Sequence, residues 1–109
     1  MEKFKKNLPT LKILSCCSKK LRTKIIKSSK KDLIKAINEC IINTLNGNVK
    51  LTEEEKSKLE RHKYLLRKLL KQKFVGTKKK ILIQNGGFLQ VLLPSAISLI
   101  SNILENLQK

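Results

Sequence analysis

Apolar residues recur along this chain three and four positions apart, the period of helices laid against a core. Leu14, Cys17, Leu21 and Ile25 form the first stripe and predict an amphipathic helix over about 11–27, opened by Leu8-Pro9-Thr10. Lys19, Lys20, Arg22, Lys24 and Lys27 cover its other face. Leu33, Ile34, Ile37, Cys40, Ile41 and Leu45 predict a second helix over about 30–45. Ser29 and Asp32 make a capping-box-like start to it, and Asn46-Gly47-Asn48 stops it. It is the most apolar helix of the basic region and the expected centre of the core. Val49 and Leu51 read as a short apolar strap before Thr52-Glu53-Glu54-Glu55, a full capping box with three acids at the positive end of a helix dipole. The third helix then covers about 53–73. Leu59, Leu66, Leu69, Leu70 and Phe74 face inward, and Lys56, Lys58, Arg61, Lys63, Arg67, Lys68, Lys71 and Lys73 face outward or rim the core.

Beyond Val75-Gly76-Thr77 the pattern changes. Lys78-Lys79-Lys80 is a cationic knot, and Ile81-Leu82-Ile83 is too short to classify by period. Gly86-Gly87 allows almost any backbone path, and Pro94 suits the first turn of a new helix. Leu92, Leu93, Ile97, Ile100, Ile103, Leu104 and Leu107, widened by Ala96 and Leu99, form its apolar stripe. Ser98, Ser101, Asn102, Glu105 and Asn106 lie opposite. The expected fold class is therefore all-α: a small three-helix basic domain, a Gly-Gly hinge and an apolar or amphipathic C-terminal helix. The expected divisions are a basic arm at 1–10, a basic helical domain at 11–75, a linker at 76–87 and an apolar segment at 88–109.

Charge sharpens this division. The 109 residues carry a net charge of +17. Residues 1–80 hold 24 of the 25 cationic residues and 7 of the 8 acids, so they carry the whole excess, and residues 81–109 sum to zero. Such self-repulsion calls for an anionic partner: DNA, RNA or an anionic membrane surface. Lys greatly outnumbers Arg, and Lys is a point charge where Arg reads guanine edges in a bidentate way. Aromatics are scarce, Phe4, Tyr64, Phe74 and Phe88 with no Trp, so a stacking platform is not expected and single-strand recognition is less favoured. The expected activity is DNA compaction without sequence reading, with phosphate contacts from Lys19, Lys20, Arg22, Lys63, Arg67, Lys68, Lys71, Lys78, Lys79 and Lys80. A helix-turn-helix regulator is the structural rival, but the Asn46–Leu51 connection is longer than that motif's usual turn.

Catalysis has little to build on. His62, the one histidine, sits between Arg61 and Lys63 and reads as a helix-surface residue. The Glu53–Glu55 cluster is explained by capping, and Gly86-Gly87 lacks the Lys-Ser/Thr of a phosphate loop. Cys16, Cys17 and Cys40 have no metal-ligand spacing. They read as reduced thiols of a protein that is intracellular or inside a particle made there, Cys40 as a small buried hydrophobe. The charged start Met1-Glu2-Lys3-Phe4-Lys5-Lys6 leads into no apolar run, so no secretory signal is expected. The tail is too interrupted by Gln90, Pro94 and Ser95 to read as a membrane span.

The stretch Gln84-Asn85-Gly86-Gly87-Phe88-Leu89-Gln90-Val91-Leu92-Leu93-Pro94 resembles the C-terminal part of the adenovirus core-peptide (mu) precursor. There too a basic region leads through a double glycine to an apolar, small-residue tail. The phrases Cys17-Ser18-Lys19-Lys20-Leu21-Arg22, Asp32-Leu33-Ile34-Lys35, Leu45-Asn46-Gly47-Asn48-Val49 and Arg61-His62-Lys63 are similar to a small basic protein of Maverick/Polinton elements and adintoviruses. The resemblance implies a non-enzymatic DNA-associated virion core protein, localised to the virion and the host nucleus. It also implies processing by an adenovirus-type cysteine protease, which favours a large residue, any residue, then Gly-Gly. Carried over, Gln84 and Asn85 take the first two places and Gly86-Gly87 the last two, placing the cut before Phe88. Gln84 departs from the commoner Met, Leu or Ile. Two alternatives stand beside the core-protein reading: a membrane-perturbing peptide precursor, and a minor capsid protein whose C-terminal helix docks on a membrane or capsid.

Overall fold

Every structured element among the described residues is helical. The computed structural model describes residues 2–47 and 49–107, with the side chains of residues 2, 3, 104 and 107 outside that description. The order is α1 (Glu2–Leu14), α2 (Lys19–Ser28), α3 (Lys31–Leu45), α4 (Glu53–Glu60), α5 (Lys63–Lys71), α6 (Val75–Asn85) and α7 (Leu89–Leu107), with one 3-10 turn at Gly86–Phe88 between the last two. The all-α class read from the sequence is the fold observed.

The centre is built on α3, which buries Leu33, Ile34, Ala36, Ile37, Cys40 and Ile41. Helix α1 lies against it through Phe4, Leu11 and Leu14, and α7 through Leu89, Leu92, Leu93, Ala96, Ile97 and Ile100. Helices α1 and α7 also touch, so the three close a triangle. Helix α6 packs on α2, and α4 covers α7. One continuous cluster of buried side chains runs from Phe4 to Ile100. The Cα radius of gyration is 13.1 Å, close to the value of about 13 Å usual for a single 100-residue body.

The helix boundaries differ from expectation where tertiary burial outweighs local signals. The stretch expected as a basic arm, residues 1–10, is helical from Glu2 and runs straight through Pro9. Proline removes a bond to the carbonyl four residues back and costs a helix interior about 3 kcal/mol. Burying Phe4, with Leu8 packed beside it, recovers a cost of that order at about 2 kcal/mol per large side chain. Pro94 likewise lies inside α7 rather than opening it, because Leu89, Leu92 and Leu93 are fully buried upstream.

The first expected helix is two. Ser15 and Cys16 turn the chain after Leu14, and Ser18 caps α2 by accepting from the Leu21 N–H at 3.3 Å. The turn resets the helical phase, so α2 buries Arg22 and Ile26 and leaves Leu21 44% exposed. Ser29 closes α2 instead of opening α3: its hydroxyl donates to the Ile26 carbonyl at 2.7 Å. The third expected helix breaks at Arg61-His62 into α4 and α5. Phe74, expected to face inward, lies beyond the end of α5 and is exposed.

Two signals act as read. Gly47 takes a positive φ of 76°, the left-handed stop expected after α3. At α4, the Glu55 N–H donates to Thr52 Oγ1 at 3.1 Å and the Thr52 N–H donates to Glu55 Oε1 at 3.0 Å. That capping box holds the Glu55 carboxyl below its usual range, chiefly through the Thr52 N–H. Ser95 donates to the other Glu55 oxygen at 3.2 Å and so pins α4 to α7.

The stretch expected as a linker, residues 76–87, is α6 and the start of the 3-10 turn, with Ile81 and Leu82 in the core. By length and composition the run Val75–Ile103 is apolar enough to cross a membrane, and 44% of its most apolar window is buried inside the fold. Of the expected apolar stripe, Leu92, Leu93, Ile97 and Ile100 are buried and Ile103 is half-buried; the side chains of Leu104 and Leu107 lie outside the described residues.

Candidate nucleic-acid interface

Helix α2 carries no Asp or Glu, and neither does α6, which packs on it. Lys19, Lys20, Thr23, Lys24 and Lys27 line one open depression of about 570 Å³ on α2. The spacing of four between Lys19, Thr23 and Lys27, and between Lys20 and Lys24, puts them on adjoining ridges of one face. Thr23 turns its hydroxyl back to the Lys19 carbonyl at 2.9 Å, which leaves the depression to the ammonium groups.

Lys79 crosses from α6 and donates to the carbonyls of Lys27, at 3.4 Å, and Ser29. A cation there satisfies carbonyls that a helix end leaves open and complements the negative end of the α2 dipole. It also fixes where the neighbours go. Lys78 and Lys80 flank Lys79 in sequence on α6, the helix that packs on α2. Four of the acids are in ion pairs, Lys6–Asp32 (3.8 Å), Lys56–Glu53 (3.6 Å), Lys58–Glu54 (3.4 Å) and Lys63–Glu60 (3.8 Å), on α1, α3, α4 and α5.

The ten expected phosphate contacts therefore divide. Lys19 and Lys20 line the α2 depression with Lys24 and Lys27, and Lys78 and Lys80 lie on α6, the helix packed on α2. Arg67, Lys68 and Lys71 form a second exposed group on α5, with Lys63 at its start held toward Glu60. Lys79 is committed to capping α2. Arg22 is a correction: it is only 6% exposed, and its Nε is buried without a hydrogen-bond partner. The phase shift at Ser15–Ser18 turned it inward, so its guanidinium is not a surface phosphate contact.

The expected cleavage segment is helical, with Gly86 and Phe88 buried and Gln84, Asn85 and Gly87 exposed. Gln84 and Asn85 are the last turn of α6, Gly86 is buried against Arg22, Gly87 is exposed, and Phe88 is 0% exposed. The Phe88 ring meets the His62 ring with centroids 6.1 Å apart, so His62 is half-buried rather than a surface residue. Gln90, one turn of chain further on, donates to the Cys17 carbonyl at 2.9 Å and ties α7 to the α1–α2 turn. Cys16 is exposed, while Cys17 and Cys40 are buried, and burial pushes the Cys40 thiol up to about 12. A thiol held protonated in this way is a packing group, not a nucleophile.

Comparison with protein-family models, with curated proteins and with solved structures finds no match to this chain.

Proposed function

We propose that this is a non-enzymatic protein that binds and condenses DNA through its phosphates, without reading sequence. The observation that carries the reading is the α2–α6 pair: four lysines line one depression on α2, and α6, which carries three more lysines and likewise no acid, packs on that helix with Lys79 donating to the carbonyls at its end. Each phosphate that a lysine neutralises releases condensed counterions, so affinity falls steeply with salt. Point charges on flexible stems give attraction without base discrimination. Following the resemblance of the Gln84–Pro94 stretch, the setting we propose is a virion core. The apolarity of α7 is accounted for by its place beside α1 and α3, so the reading asks nothing of a membrane.

The test is equilibrium binding to two duplexes of unrelated sequence across a salt series. Equal affinities and a steep negative slope of log K against log salt are expected. A flat salt response, or a strong preference between the two duplexes, overturns the reading.

A further inference from the structure

Of the four aromatic residues, Phe4 and Phe88 are fully buried. The other two stand open: Tyr64 is 80% exposed on α5, and Phe74 is 73% exposed in the connector from α5 to α6. A phenyl ring left in water forgoes the burial that stabilises Phe88, fourteen residues further on. Both open rings belong to the stretch Arg61–Leu104, which contains nine cations and no acid.

On α5, Tyr64, Arg67, Lys68 and Lys71 follow the i, i+3, i+4, i+7 spacing of one face, with Leu66 and Leu69 buried on the other. Gln72 donates to the Lys68 carbonyl at 3.1 Å and closes the helix. The backbone is then extended at Gln72 and Phe74, with ψ of 135° and 134°. Seven residues of helix rise about 10 Å, and three extended residues add at most about 10 Å. The two rings thus bracket Arg67, Lys68 and Lys71 over no more than about 20 Å, the length of about six stacked nucleotides.

We infer that Tyr64 and Phe74 are stacking platforms for unpaired bases, and that the α5 face binds single-stranded nucleic acid. The inference rests on the phosphate-binding reading and adds a ligand class to it. In a duplex the base faces are hidden in the stack, so rings of this kind add nothing to duplex binding. In a single strand each base offers a π-face while the cations between the rings take the phosphates. An anionic lipid surface suits the geometry less well. It requires a continuous apolar stripe on the exposed side of the helix, and the apolar stripe of α5 is already used in the core.

Tyr64 is the one tyrosine and the chain has no Trp, so tyrosine fluorescence reports this residue alone. The experiment titrates the full chain at low salt with a poly-dT strand of roughly 15 nucleotides, inorganic polyphosphate, a duplex and phosphatidylserine vesicles. Quenching by poly-dT but not by polyphosphate is expected. Tyr64→Leu and Phe74→Leu are each expected to weaken poly-dT binding about tenfold, with the salt slope and duplex affinity unchanged. Both positions are exposed, and circular dichroism checks that the variants stay helical. Equal quenching by polyphosphate, a ring response to vesicles alone, or equal losses on duplex and single strand overturns the inference and leaves phosphate binding standing. Failure to bind either nucleic acid at low salt overturns both.

Discussion

Arg22 and Gly86 are packed so closely that a Cβ built on Gly86 would lie 3.0 Å from Arg22 Nε and 3.3 Å from its Cδ. The first atom contacted is in the middle of a buried side chain, so it has little room to give. The double glycine is therefore asymmetric, since a Cβ on Gly87 meets nothing within 4 Å. Gly87→Ala is expected to stabilise the fold by about 0.5–1 kcal/mol by restricting the unfolded chain. Gly86→Ala is expected to destabilise it by about 1 kcal/mol through overpacking. In an Arg22→Ala background the Gly86→Ala change becomes stabilising by about 0.5–1 kcal/mol. Urea unfolding of the four proteins of the Arg22/Gly86 cycle measures the coupling, and additive effects would show that the contact carries no energy.

On the proposed phosphate-binding reading, the lysines of α2 and α6 divide into binders and a cap. Changing Lys19, Lys20, Lys24 and Lys27 together to Gln is expected to reduce the slope of log K against log salt by about three to four for duplex DNA. Lys79→Met is expected to leave that slope nearly unchanged and to lower folding stability by about 1 kcal/mol, because it uncaps α2. Lys56 and Lys58, drawn to Glu53 and Glu54, serve as the control pair whose loss alters neither quantity much. The reverse pattern, with Lys79 governing the slope, would place the phosphates on α6 alone.

Acid weakens the attachment of α4. Glu55 titrates below its usual value of 4.5 in the folded chain because the Thr52 N–H bonds its charged form. A depressed carboxyl contributes stability that is present above the unfolded value and lost as pH falls through the folded one. The loss is therefore expected below about pH 4.5 and not near neutrality. Glu55→Gln keeps an acceptor for Thr52 and cannot titrate. Thermal midpoints of the two proteins, measured from pH 6 downward, are expected to converge as the pH drops; a constant gap would show that the charge of Glu55 contributes nothing.

A protease that cuts between Gly87 and Phe88 meets a turn, not an extended strand. Phe88 is seated in the core against His62, and Gly86 lies under Arg22. Cleavage of the folded chain is then limited by local opening. With an adenovirus-type cysteine protease, the mass of the intact chain is expected to persist under native conditions. Fragments ending at Gly87 are expected to appear in mild urea, or after Phe88→Ala loosens the turn. Rapid cutting without either would mean that the turn opens far more readily than its burial suggests.

Much of the interior was legible because α3 and α4 obey their own local rules. The stripe from Leu33 to Ile41, the Gly47 stop and the Thr52–Glu55 box all agree with where the chain finally packs. The errors have two physical sources, helical phase and burial by distant parts of the chain. Four residues at Ser15–Ser18 reset α2, and a shift of a single position exchanges Leu21 for Arg22 on the buried face. Pro9 and Pro94 read as helix starts because proline is tolerated there. Phe4 and Leu89, each buried five residues before its proline, carry the helices past both. The basic surface was visible as composition, but its partition was not. That Lys79 caps α2 depends on a contact fifty residues long, and that Phe74 stays outside depends on α5 ending at Lys71.

The contact between α1 and α7 bears on how the molecule comes into being. A polypeptide made from its amino end exposes α1 and α3 long before Leu92, Ala96 and Ile100 exist to cover them. During that interval the nascent chain is cationic and has an unfinished interior, the kind of species that aggregates or meets stray RNA. Closure waits for nearly the last residues described, so any event that withholds α7, whether a stalled ribosome or a premature stop, leaves a sticky polycation rather than a smaller folded protein.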